Sequence, residues 1–301
     1  MIMIKSLSRF RHSWNRFWFR ECSPHLLAIF RIAFAGFLVF YFSLQLPHVS
    51  MIYSREGVLL PMLLPDRWLT LVFTPPPAWV AELLFSSFFA SLLCLTIGLG
   101  TRVSAGVATI LYLYYRVISL YHFGTSFDRL FITLLAVLTF SGCGATFSVD
   151  MWFKRGSFLA WEPISILPQR LIAFQITATY VGVGWQKLYL PDWQSGDVLA
   201  WGFMGRWATP FGYWIARLNW PLWFYDILVW QVKFCEVFLP IGLWFKGWRW
   251  LSIAWGTLFH TLITLAMAIW WFQVLIPAYI VFFSPEEVFG LLQRVSRGKI
   301  H

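Results

Sequence analysis

Charge is scarce in this chain. Asp, Glu, Lys and Arg make up 12% of its 301 residues, against about a quarter in soluble domains. That shortage excludes an ordinary water-soluble globular domain. Acid is scarcer than base, 13 residues against 23, for a net charge of +10. The cations lie mostly between apolar runs, where they read as orientation signals and not as a nucleic-acid footprint. Cysteine is also sparse. Cys22, Cys94, Cys143 and Cys235 have neither metal-ligand spacing nor the density of a disulfide framework. They read as packing residues, and no metal is expected. No phosphate-cradling glycine loop, HExxH or GxSxG signature occurs, which removes the usual sequence marks of nucleotide binding, zinc proteolysis and serine hydrolysis. No internal repeat or low-complexity segment is evident.

What the chain has is apolar surface. It is 59% hydrophobic and 21% aromatic, with mean hydropathy +0.67, which excludes disorder. Apolar runs occupy about 24–46, 77–99, 102–121, 129–147, 168–190, 221–244, 249–268 and 270–284. Runs near twenty residues match a hydrocarbon core of about 30 Å. They lack the period-two alternation of a membrane barrel, and helices satisfy every backbone amide within the segment. The expectation is an all-α, polytopic bundle of about eight transmembrane helices. Its last span is short and is expected to be tilted or re-entrant.

Residues 1–23 hold Lys5, Arg9, Arg11, Arg16 and Arg20 among Trp14, Phe17, Trp18 and Phe19. They read as a basic amphipathic segment lying on an anionic membrane surface, and not as a cleaved signal peptide. Residues 24–287 form the membrane domain, and 288–301 a basic tail. With the N-terminus cytoplasmic, Arg102, Lys154, Arg155, Arg170, Lys246 and Arg249 fall on inner segments, with Arg294, Arg297 and Lys299 in the tail. Only Arg55, Arg67, Arg206 and Arg217 fall outside. Eight crossings with both termini in the cytoplasm therefore satisfy the positive-inside rule, which places the chain as a multi-pass protein of the cytoplasmic membrane. Of the outer segments, 191–220 is rich in Trp and Gly, and reads as headgroup-level packing or as a cap over a cavity.

Ionisable groups inside spans need a partner, a wet pocket or a route to the interface. Arg31 and Arg116 read as snorkelling or salt-bridged. Lys233 and Glu236, three residues apart, share a helical face and read as a neutralising pair or a proton relay. Asp128, Arg129, Lys187, Asp226 and His260 are expected at similar depth on the outer side, where a polar pocket opening outward would solvate them. Unrelated interfacial groups are the alternative. Lys187 follows Gly182 and Gly184 in YVGVGWQKLYLPDW, glycines that permit close helix approach or access for a flat ligand. Low dielectric disfavours an ammonium, and a desolvated amine can serve as a general base. His260 can hold or relay a proton, or simply hydrogen-bond between helices.

Several pieces, in this order, resemble a known family. They are LLAIFRIAFAGFLVF, GVLLP, GLGTRVSA, FSVD (Phe147 to Asp150), then Tyr180, Gly184, Lys187, Leu188, Asp192, Trp193 and Gly196, then FHTLITLAMAIWWF and FFSPEE. From about Pro24 to Glu287 the chain resembles the HTTM (horizontally transferred transmembrane) proteins and the membrane domain of vitamin K-dependent gamma-carboxylase. The resemblance implies a quinone-linked carboxylase or epoxidase, in which Lys187 deprotonates vitamin K hydroquinone or a related quinol. His260 matches a histidine of the membrane core, and Tyr180, Gly184 and Trp193 become candidate cofactor-binding residues. Phe127 and Asp128 stand where the family carboxylase has an Asn-His pair, so that histidine's role is not carried over. The resemblance does not extend to the carboxylase's large lumenal β-rich region, and processive modification of a docked polypeptide is not expected.

Two further functions compete with that enzyme. A non-enzymatic scaffold would bind a lipid or a membrane or extracytoplasmic protein partner. A transporter would rest on Lys233 and Glu236, without the repeated halves common in that class.

Overall fold

A computed structural model describes residues 2–60, 68, 70, 73–119 and 126–297. Pro61, Arg67 and Lys299, used in the sequence reading, lie outside the described residues, as does the end of the third apolar run. Among the described residues the regular elements are helices, apart from one pair of two-residue strands, β1 (Glu21–Cys22) and β2 (Ile164–Ser165), and one isolated bridge between Ala208 and Met267. In order come α1 (Ile2–Phe19), α2 (His25–Ser43), α3 (Val49–Tyr53), α4 (Ala78–Ile97), α5 (Thr101–Ile118), α6 (Ser126–Thr139) and α7 (Val149–Arg155). Then follow α8 (Leu167–Lys187), α9 (Asp197–Gly202), α10 (Pro210–Arg217), α11 (Leu222–Trp244), α12 (Lys246–Ala266), α13 (Leu275–Ala278) and α14 (Pro285–Arg297).

The first seven apolar runs each carry one helix. By length and composition α2, α4 and α11 can cross a bilayer. Two runs depart from a single straight span, and for the eighth a tilted or re-entrant form is the expectation. The fourth stops being helical at Thr139, because Ser141 turns its hydroxyl onto the Leu138 carbonyl (2.8 Å) and the chain enters Gly142–Cys143–Gly144. Its fourteen residues rise only about 21 Å. The eighth run is broken into 3-10 turns around α13 and bends by 95° into α14. Pro285 disfavours helix at the residue before it. Ser284 and Glu287 then exchange a reciprocal capping pair, 2.9 and 3.2 Å, that starts the new helix. The expected boundary at Glu287 falls inside α14.

The chain divides into two compact units. The first runs to Ile172 and resumes at Phe283. In it α2 packs on α4, α4 on α5, and α5 on α6. Aromatic edges fill the core: Phe42 lies 4.8 Å from Phe88 and 5.0 Å from Tyr112, centroid to centroid. Three of the motifs noted above meet in this unit. Gly98 and Gly100 adopt positive φ (+80° and +54°) and turn α4 into α5. The Asp150 carboxylate reaches that turn from far along the chain, accepting from Gly100 N (2.6 Å), Thr101 N (2.9 Å) and Thr101 Oγ1 (3.0 Å). It thus satisfies amides that the start of α5 leaves open, and places a negative charge at the positive end of that helix. Arg31 donates to the Phe147 carbonyl at 2.5 Å. It is fully buried and forms no ion pair among the described residues, so it neither snorkels nor bridges as expected. The carbonyl is presented to it because Phe147 itself takes a positive φ of 48°.

The second unit spans Ala173–Phe282. Its frame is the antiparallel pair α11 and α12, with α9 against α11 and α10 against α12. Leu199, Phe203, Tyr225, Val229 and Ala266 form its core cluster. The Trp-rich stretch is thus folded into short helices. Thr209 N bonds the Ala266 carbonyl (3.2 Å), and Ala268 N bonds Trp207 O (2.7 Å).

Candidate functional site

Tyr180, Gly184 and Lys187 lie at i, i+4 and i+7 on α8, one face of one helix. That face meets α11 in the second unit. A Cβ on Gly184 would stand 2.9 Å from Glu236 Cβ and 3.0 Å from Val237 Cγ2. Glycine is what lets the two helices close to that distance. Gly182 is different, since a Cβ there would meet nothing within 4 Å.

The close approach delivers Glu236 to the lysine. Lys187 Nζ donates to Glu236 Oε1 at 2.5 Å, with side chains only 13% and 11% exposed. The face of Trp193 lies 4.1 Å from the same nitrogen, a cation–π contact that strengthens when desolvated. Trp193 is brought back by the turn after α8, where Gln194 Nε2 satisfies the Leu188 (3.0 Å) and Leu190 (2.8 Å) carbonyls. The other oxygen, Glu236 Oε2, is buried and has no hydrogen-bond partner among the described residues. The expected Lys233–Glu236 pair is therefore corrected. Lys233 turns to the ring of its own helix neighbour Trp230, 4.5 Å away, and Glu236 serves the lysine of α8. Spacing along one helix names candidate partners, but a neighbouring helix offers a geometry that sequence separation does not reveal.

Two turns back along α8, a second polar group is buried. The Tyr180 hydroxyl contacts His260 Nε2 on α12 and the Tyr279 hydroxyl, the latter at 2.8 Å. His260 is 3% exposed, and its Nδ1 has no partner among the described residues. Gln273 Nε2 fixes the chain beside it by bonding the His260 carbonyl (3.1 Å) and Thr264 Oγ1 (2.8 Å). Among the described residues the arrangement therefore holds two buried, unpartnered polar atoms: Glu236 Oε2, an acceptor, and His260 Nδ1, an acceptor when Nε2 carries the proton and donates it to the Tyr180 oxygen. A buried acceptor left unpaired costs about 1–3 kcal/mol, which a donor-bearing ligand would recover.

Each of the other expected pocket residues belongs to one of the two units. Asp128 belongs to the first unit, where Arg116 pairs with it at 3.1 Å and Tyr112 donates to it at 2.7 Å. With Tyr41, Phe42, Tyr53, Phe85, Phe88 and Gln45 they line a cavity of about 260 Å³. Arg129, next in sequence, is exposed. Asp226 accepts from Gly196 N at 2.6 Å and ties the Trp-rich stretch to the start of α11. A Cβ on Gly196 would meet Tyr225 Cβ at 2.5 Å, which explains a glycine there.

Glu236 as the partner of Lys187, and Tyr279 as the partner of Tyr180, were missed by sequence reasoning. Gly184, one turn before the lysine, was the available signal for the first. Tyr279 had none, since it sits in a broken 3-10 stretch. Among the described residues no cluster of His, Cys, Asp and Glu could hold a metal ion.

Compared with known proteins, residues 19–287 match the family model of the HTTM domain. No curated protein and no solved structure matches the chain.

Proposed function

The chain belongs to the HTTM family and is an all-α membrane protein; from that premise we propose that it is a quinol-linked enzyme of the cytoplasmic membrane, with the Lys187–Glu236 pair as its proton-accepting centre. The observation that carries this reading is the buried Glu236, one oxygen on Lys187 and the other unpartnered among the described residues. The donor set suits a hydroquinone such as that of vitamin K or a related quinol, whose hydroxyls donate where Glu236 Oε2 and His260 can accept. When bound, such a quinol supplies an acidic hydroxyl and two reducing equivalents.

The protein's part is to orient and to hold the proton. Glu236 Oε2 receives the hydrogen bond, and Lys187 Nζ fixes the carboxylate that receives it. One proton taken up leaves an ammonium beside a carboxylic acid, with the Trp193 face against the cation. Tyr180, held between His260 and Tyr279, gives the imidazole a defined orientation. Burial of Glu236 and His260 keeps water from competing, which strengthens each of these contacts. Eight crossings with both termini in the cytoplasm complete the reading. Three helices long and apolar enough to cross a bilayer and the distribution of cations support it.

Purified protein in nanodiscs, supplied with reduced vitamin K and oxygen, should form vitamin K epoxide. Glu236→Gln should lower the rate by about 10²–10⁴, the range for a lost general base, and Lys187→Ala, which removes the group that fixes that carboxylate, should lower it as well. Undiminished turnover in Lys187→Ala would refute the assignment. Mass spectrometry of lipid co-purifying with the wild type should show a quinone that Lys187→Ala and Glu236→Gln retain less.

A second reading, a scaffold binding a lipid or protein partner, is favoured by one observation. Trp201, Trp214 and Trp220 of the 191–220 stretch are exposed. It expects Lys187→Ala to be inert, while substitutions at these indoles impair partner recovery.

A further inference from the structure

The amphipathic helix α1 has no part in the proton-accepting site, and it is built around a fixed root. At its end Arg20 grips Glu286 with two hydrogen bonds, 2.5 and 3.2 Å. Arg20 O accepts from Ile166 N at 3.0 Å, and Glu21 and Cys22 pair with Ser165 and Ile164. These contacts bring the starts of three helices to the root: α2 at His25, α8 at Leu167 and α14 at Pro285. α1 therefore leaves from the level at which the helical layer itself begins, within six residues of the first span.

Its surface is of two kinds. Phe10, Trp14, Phe17 and Trp18 follow i, i+4, i+7 and i+8, one stripe of a helix. Their rings stand against one another at 6.1, 5.8 and 5.0 Å. Phe10 and Trp14 remain 68% and 51% exposed. Arg9, Arg11 and Arg16 are exposed beside the stripe, and the guanidinium of Arg170 on α8 lies 4.4 Å from the Phe17 ring. The first twenty residues contain no acid. Indole and phenyl rings favour the depth of the headgroups, and a row of cations with no acid favours phosphates above them.

We propose that α1 is an anchoring arm that lies flat on the adjoining leaflet and binds its anionic phospholipid headgroups. The aromatic stripe enters the acyl boundary and Arg9, Arg11 and Arg16 take the phosphates, while the root fixes where the arm begins. Three cations near an anionic surface bias the docked state by on the order of a hundredfold.

The test is amide exchange over residues 9–19 of the full-length protein, in nanodiscs of phosphatidylcholine and in nanodiscs rich in phosphatidylglycerol. Exchange should be at least about tenfold slower on phosphatidylglycerol. The difference should vanish in high salt and in the triple variant Arg9→Gln, Arg11→Gln, Arg16→Gln. Unchanged exchange in α4 would show that this variant is folded. Equal protection on both bilayers, or protection that survives the triple substitution, would overturn the proposal. The Lys187→Ala protein should keep the lipid dependence, so this result stands or falls separately from the catalytic reading.

Discussion

Lys187 shows how far single residues can be read. The sequence marked it as an amine kept from water, and its side chain is mostly buried. Sequence did not reveal that the amine has a carboxylate at 2.5 Å, because that partner lies 49 positions away on another helix. In the proposed reading the proton acceptor is therefore this pair instead of a solitary amine. The two glycines before it make a prediction about packing. Gly184→Ala would push a methyl to 2.9 Å from Glu236 Cβ, and overpacking of that kind costs about 1–3 kcal/mol. Alanine's helix preference returns only about 1 kcal/mol, so Gly184→Ala should lower the thermal unfolding temperature. Gly182→Ala meets nothing within 4 Å and should raise it. Stabilisation by both substitutions would contradict the close approach of α8 and α11.

Elements follow local rules where those rules act alone. The long apolar runs became helices, and the glycines of GLGTRVSA became a turn because only their backbone accepts positive φ without strain. What sequence could not give was the joining of motifs. FSVD and GLGTRVSA are far apart in the chain, yet Asp150 of one caps the helix that begins in the other. Asp150→Ala should therefore destabilise the first unit by about 1–2 kcal/mol, the usual loss of a cap, measured by denaturant unfolding. A change within error would show that water replaces the carboxylate. The last turn of α7 carries a milder version. Lys154 (2.5 Å) and then Arg155 (2.8 Å) hold Glu162 and keep its carboxyl below the ordinary glutamate range. The contribution is present above the unfolded value and disappears as pH falls through the folded one. Glu162→Gln should thus be slightly less stable near neutral pH, and the gap should close on acidification. The effect is small because these groups face solvent. A gap that widens in acid would have the wrong sign.

At the scale of the whole molecule, composition alone announced the class, because a chain with so little charge has few ways to live in water. The positive-inside count extends that to an orientation. It predicts that an impermeant maleimide labels Arg206→Cys on intact cells and leaves Ser157→Cys unlabelled until the membrane is opened; the reverse pattern would invert the topology. The broken eighth run was less legible. Its composition is that of a span, and the bend comes from Ser284, Pro285 and Glu287 acting together at its end. The site was half legible for the same reason. Residue types point to chemistry, while the contacts between helices decide which of them can act together.

The central claim is that Lys187 and Glu236 jointly accept the proton of a bound quinol. Single-turnover epoxide formation from reduced vitamin K, compared among wild type, Lys187→Ala and Glu236→Gln in the same nanodiscs, tests it most directly. The account predicts that both variants remain folded, that Glu236→Gln loses at least about a hundredfold in rate, and that Lys187→Ala is slowed as well. Turnover at the wild-type rate in Glu236→Gln would contradict it.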